Sequence, residues 1–168
     1  LDGLRPEMRS WRALVPGLPA PVRARVADAA AVRGVLSSSA LVDLYGSLLG
    51  DDDQSLAEVG IARDLASAFN GADTGTRLDS LRQLWDEPKT ADGKYARLIL
   101  TARAAARIPV GAPDADVDRL VAAMLTAGLD LQALRWRAQA SRGGDAWAML
   151  TLADPVRTSY SYSDVSAY

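Results

Sequence analysis

Apolar side chains recur at every third or fourth position along most of this sequence, and prolines or glycines separate the segments that show the pattern. The clearest segment carries Val59, Ala62 and Leu65 on one face and ends at Asn70-Gly71, as many helices do. A helix with an apolar stripe must bury it against another element, and no segment alternates as a strand does. The sequence therefore predicts an all-α domain of about nine short helices, near residues 6–15, 21–33, 37–50, 53–70, 76–85, 93–108, 115–127, 130–142 and 145–154.

Two arrangements of these helices fit the pattern. Pairs of helices recur at about 35-residue intervals, which is typical of an α-solenoid-like array of helical hairpins. No exact repeat is present in the sequence, and helices of this length joined by short loops also build an irregular helical bundle. We keep both arrangements as predictions.

The helical pattern divides the chain into a helical domain, residues 1–154, and a polar Ser/Tyr-rich tail or linker, residues 155–168. The tail lacks helical periodicity. The first residue is Leu1 rather than Met, and the chain is rich in Ala and Arg but has only two lysines. We expect a piece of a larger bacterial protein, from either the cytoplasm or the periplasm.

The 168 residues include no cysteine and no histidine. This excludes disulfides, thiolate nucleophiles, histidine-based triads and the usual zinc and haem ligands. The acidic residues fall mostly at helix starts, and no glycine-rich phosphate-binding loop is present. We therefore predict no enzyme activity, no metal and no cofactor.

Two acidic motifs have a structural interpretation. Asp73-Thr74-Gly75-Thr76 resembles the four-residue signature of aspartic proteases, but it follows a helix end and has no second copy. We interpret it as a turn between helices, with Thr74 or Thr76 capping the next helix. The run from Asp51 to Asp53 resembles the start of a calcium-binding loop, but the glycine and glutamate that such a loop needs later are absent. We interpret these aspartates as a helix start.

The region 117–142 resembles a DNA-binding helix-turn-helix, with Gly128 in the turn. Arg135, Arg137 and Arg142 follow it and could contact phosphates. Trp136 lies between two of these arginines, so we expect it to be the exposed tryptophan and the centre of a partner-binding surface formed with Arg135, Arg137 and Arg142. The other tryptophans, Trp11, Trp85 and Trp147, occupy apolar stripes and are predicted to pack in the core.

Charge is unevenly distributed along the chain. By sequence count the net charge is +3 over residues 1–36, −7 over 37–92 and +2 over 93–168. The overall charge of −2 does not favour nucleic acid as a partner. No apolar run approaches the roughly 20 residues that span a bilayer.

These features predict a non-catalytic helical module that binds a protein partner or acts as a scaffold, with self-association as a further kind of contact. Two alternatives stay open. One is nucleic-acid binding through residues 117–142, and the other is a helical accessory region of an enzyme whose catalytic part lies elsewhere.

Overall fold

A computed structural model describes residues 6–50, 53, 55–156, 159, 163 and 166. The described residues form helices and no strand, which confirms the all-α prediction. In chain order the helices are α1 (Pro6–Arg9), the 3₁₀ helix η1 (Ser10–Leu14), α2 (Ala20–Ala24), α3 (Ala27–Val32), α4 (Ser38–Gly46), α5 (Ala57–Asn70), α6 (Thr74–Asp86), α7 (Ala91–Ala105), α8 (Asp114–Thr126), α9 (Asp130–Leu134) and α10 (Asp145–Ala153).

Side-chain caps fix where several helices begin. The Ser37 hydroxyl accepts a hydrogen bond from the amide of Ala40 at the start of α4, and the Thr90 hydroxyl accepts one from Gly93 at the start of α7. At α6 the cap is the Asp73 carboxylate, which accepts from the amide and the hydroxyl of Thr76. The predicted interhelical turn is therefore present, but the prediction that Thr74 or Thr76 caps the helix is wrong. An aspartate is an equally good cap, and it comes first in the chain.

Five predicted helices are shorter or broken. Helix α4 ends at Gly46 instead of 50, and α5 begins at Ala57 with Leu56 at its cap position, so the interpretation of Asp53 as the start of that helix is wrong. The first predicted helix becomes α1 followed by the 3₁₀ turn η1, and the second breaks at Val26 into α2 and α3. That break allows Ala24 and Ala27 both to face the core. The helix predicted over 130–142 ends at Leu134. Beyond it Gln139 leaves the helical path, because its side chain accepts a hydrogen bond from the amide of Gly111 and donates to the carbonyl of Ala112.

Helix α7 is the centre of the structure. Its first half packs into one apolar cluster with α2 to α5, and its second half packs into another with α6, α8, α9 and α10. Helix α7 contacts α3, α4 and α5 as well as its neighbours in sequence. In a solenoid each repeat contacts only the adjacent ones. Contacts between distant segments are typical of a bundle, and the predicted solenoid-like array is not confirmed.

Polar contacts give the directions of the last three long helices. Arg82 on α6 meets Asp116 on α8 at 2.5 Å, and Asp86 one turn later meets Arg119 at 2.7 Å. Both pairs advance in the same sense, so α6 and α8 run parallel. Trp85 contacts Thr101 and Glu87 contacts Arg97, so α7 runs antiparallel to α6.

A buried cation joins the two halves of the bundle. The guanidinium of Arg97 on α7 lies 2.5 Å from the carboxylate of Asp28 on α3 and 3.2 Å from that of Glu87 after α6. Burial raises the pKa of Asp28, and Arg97 opposes that rise. Burial also raises the pKa of Tyr45, which interacts with the same arginine. Two carboxylates thus compensate a charge that apolar surroundings would not accept alone.

The pair between Arg82 and Asp116 generates a first prediction. Asp116 is almost completely buried and accepts two hydrogen bonds from Arg82, whereas Asp79 contacts the same arginine on the surface. Replacing Asp116→Asn should lower the free energy of unfolding by about 2 kcal/mol, since it removes buried charge-assisted bonds. The matched Asp79→Asn change should cost under about 0.5 kcal/mol. Urea unfolding at neutral pH measures both, and equal losses would contradict the burial argument.

The Asp73 cap generates a pH prediction. Hydrogen bonds from Thr76 hold the pKa of Asp73 below its ordinary value of 3.8. The capping stability is therefore present above that ordinary value and is lost as the pH falls through the lower pKa of the folded state. Asparagine keeps the cap but does not titrate. The stability difference between the wild-type protein and Asp73→Asn should shrink on acidification, as followed by urea unfolding over a pH series. The exposed Asp43→Asn change on α4 is the control, and identical pH profiles for the two variants would refute the prediction.

Candidate protein-binding groove

A groove of about 940 Å³ lies between the end of α6 and helices α7, α8 and α10. We call it the α10 groove. Its surface is mainly apolar, and the side chains that supply this character come from all four helices: Trp85, Leu98, Ala122, Trp147, Met149 and Leu152. A concave apolar surface of this size is large enough to receive several side chains of a partner.

Trp85 forms the fixed floor of the groove. Its ring is buried, and its indole N–H donates a 2.9 Å hydrogen bond to the hydroxyl of Thr101. Thr101 in turn donates to the backbone carbonyl of Arg97 one helical turn earlier. The guanidinium of Arg119 lies 5.0 Å from the centre of the Trp85 ring and is held by Asp86. Because each polar atom has a partner, the floor keeps its shape without a ligand.

Helix α10 forms the open wall. Ala146 and Leu150 face the core, and the amide of Ala146 donates a 2.8 Å bond to the carboxylate of Asp118 on α8. Leu152 points away from the core and is 81 % exposed, while Trp147 is half-buried in the groove. Isolated exposed leucines are common on proteins, but an exposed leucine and a half-buried tryptophan that line the same apolar groove are typical of an interaction surface.

The two ends of the groove differ in charge. Asp118 and Asp145 lie at the end where α10 begins. Lys89 precedes α7, and Lys94 belongs to its first turns. Since α7 runs opposite to α8, these two lysines lie at the other end of the groove. They are the only two lysines in the chain.

The described residues contain no group of three acidic residues placed to hold a metal ion. Asp51 and Asp52 of the acidic run lie outside the described residues. The remaining member, Asp53, accepts hydrogen bonds from the amide and the hydroxyl of Ser55, and these lower its pKa. Within the described chain, no helix combines the length and the apolar character that crossing a bilayer requires.

The expectation that Trp136 is exposed is wrong. Its side chain has no exposed surface and packs in the second apolar cluster, and its indole N–H has no hydrogen-bond partner among the described residues. The sequence predicts a continuous helix that places Trp136 between two arginines. Because α9 ends at Leu134, the following turn directs Trp136 inward instead. Trp11 departs from its prediction in the opposite way, since its side chain is 59 % exposed.

The three predicted arginines lie outside the α10 groove. Arg135 donates to the carbonyl of Ala106, and Arg137 pairs with Asp154 at 2.6 Å. Arg142 donates to the carbonyl of Ser163. Each is partly exposed and is used within the fold, so their binding role stays a prediction.

Sequence reasoning did not find the α10 groove. The sequence places Trp147, Leu150 and Leu152 in the last predicted helix as apolar residues of one stripe, but of these three only Leu150 is buried in the core. A helix wheel of α10 carries the missing signal, because Leu150 and Leu152 lie about 200° apart on it and cannot face the same neighbour.

Comparison with protein-family models, with curated proteins and with solved structures yields no match to this chain. The interpretation of the groove therefore depends on its own geometry.

The floor of the groove generates a prediction. Replacing Thr101→Val removes the acceptor of the Trp85 N–H without changing the shape of the side chain. A buried donor left unpaired should lower the free energy of unfolding by about 2 kcal/mol. The control is Thr126→Val, whose hydroxyl bonds only to the nearby carbonyl of Ala123, and its expected cost is under about 0.5 kcal/mol. Thermal or urea unfolding measures both, and a neutral Thr101→Val variant would show that the floor does not depend on this bond.

Proposed function

We propose that this chain is a helical protein-interaction module that binds an apolar segment of a partner protein in the α10 groove. The observation that carries the proposal is the apolar wall of α10, where the exposed Leu152 and the half-buried Trp147 line a groove above the buried Trp85. Water contact with such a surface is unfavourable, and covering it releases free energy roughly in proportion to the apolar area buried.

An amphipathic helix is the form of partner segment that suits this groove best. Helical segments dock their apolar side chains, spaced three or four residues apart, into grooves between helices. The buried Trp85 supports the groove from below, and Trp147 supplies an aromatic contact on the wall. Aromatic side chains contribute much of the binding energy at protein interfaces.

Nucleic-acid binding through residues 117–142 receives less support from the geometry. The second helix of that region, α9, has five residues, and Asp130 stands at its first position. Arg137 is already paired with Asp154. These features leave a short, partly neutralised surface where a recognition helix would need a continuous basic face.

A pair of matched leucine substitutions tests the proposal. Leu152 lines the groove and is 81 % exposed, whereas Leu131 on α9 is 75 % exposed and lies outside it. Both Leu152→Glu and Leu131→Glu should leave the free energy of unfolding within about 0.5 kcal/mol of wild type. The tagged wild-type chain and both variants would be used to capture partners from a lysate of the organism that encodes it. Mass spectrometry and a titration with the recovered partner would follow.

We expect a protein retained by the wild-type chain and by Leu131→Glu but bound about tenfold or more weakly by Leu152→Glu. A captured protein that binds all three forms equally would show that the α10 groove is not the binding surface. Loss of binding in both variants would likewise place the contact elsewhere on the molecule.

A further inference from the structure

The only two lysines of the chain line the same end of the α10 groove. Within the described residues neither Lys89 nor Lys94 makes a hydrogen bond or an ion pair, and both are exposed. Both also lie near the amino-terminal end of α7, where the partial positive charge of the helix makes a cation unfavourable. Helix stability therefore does not explain why cations are placed there.

The two acidic residues that precede Lys89 at the end of α6 are already engaged. Asp86 binds Arg119, and Glu87 binds the buried Arg97. Asp92 lies in the first turn of α7 but does not line the groove. The lysine end thus combines two ammonium groups with the positive end of a helix, next to an apolar surface. An occupant of this end gains most when it supplies carboxylates.

The opposite end of the groove does not favour a charged occupant to the same degree. The carboxylate of Asp118 there already accepts a hydrogen bond from the amide of Ala146 in the first turn of α10. The difference in charge between the two ends of the groove therefore favours one orientation of the bound segment.

Resting on the proposed function, we propose that the occupant is an amphipathic helix that is acidic at one end. Its apolar side chains lie between Trp85 and α10, and aspartate or glutamate residues at one end contact Lys89 and Lys94. The apolar face supplies most of the affinity, and the carboxylates set the orientation and select against basic helices.

A displayed peptide library tests this proposal. The library would present helical peptides of roughly 18 residues, about 27 Å long, with leucine or alanine fixed on one face and acidic, basic or neutral residues varied elsewhere. Selection would use the wild-type protein and, in parallel, the Leu152→Glu variant. We expect peptides that bind the wild-type protein only, with aspartate or glutamate enriched at one end.

The charge contacts are then tested on one selected peptide. Lys89→Glu combined with Lys94→Glu should weaken its binding about tenfold, and added salt should reduce this effect. The control combines Arg33→Glu with Arg63→Glu, two exposed positions outside the groove that give the same change in net charge. That control should bind the peptide as the wild-type protein does.

The outcomes separate the two proposals. Peptides that require Leu152 but show no acidic enrichment, or that bind the lysine-reversed variant normally, overturn the acidic-partner inference and leave the groove as the binding site. Equal weakening by the lysine and arginine reversals overturns it as well, because the effect would then come from net charge alone. If no selected peptide depends on Leu152, the groove proposal itself fails.

Discussion

The buried guanidinium of Arg97 is the interaction on which the arrangement of the bundle depends. Helix α7 lies between two apolar clusters, and a charge in its middle must find carboxylates from outside the helix. Asp28 comes from the amino-terminal half, and Glu87 comes from the end of α6. These two contacts fix α3 and the α6–α7 connection against the same side of α7. Among the described residues the N–H at Nε of Arg97 has no hydrogen-bond partner, so the two carboxylates supply the polar contacts of this cation.

The α10 groove follows from this arrangement. With Glu87 held at Arg97, Trp85 two residues earlier is positioned to donate a hydrogen bond to Thr101 on the next turn of α7. Arg119 on α8 then covers the Trp85 ring, and Asp118 beside it anchors the start of α10. One chain of polar contacts therefore runs from the core to the wall of the groove. The groove is an outcome of helix placement and not of a local loop conformation.

The sequence predicts well what short-range physics decides. Apolar spacing locates α5 to α8, and the cap at Ser37 follows from the preference of serine for that position. It predicts poorly where tertiary contacts override helix propensity. The helix expected to continue to 142 ends at Leu134, because burial of Trp136 and the contacts of Gln139 with the α7–α8 loop favour a turn. Because the helix ends at Leu134, Trp136 is buried and cannot be the centre of the predicted binding surface.

The same distinction explains why the sequence does not predict the α10 groove. Composition draws attention to clusters of arginine, but Arg82, Arg97, Arg119 and Arg137 are used in ion pairs within the fold. The two lysines indicate the charge of a partner better than the arginines do, because they are unpaired in the described fold. No sequence pattern shows that they are unpaired. Charged groups that have no partner in the described fold and that lie beside an apolar groove indicate what a partner protein must provide. At the α10 groove, the partner must provide a helix with one apolar face and with carboxylate groups at one end.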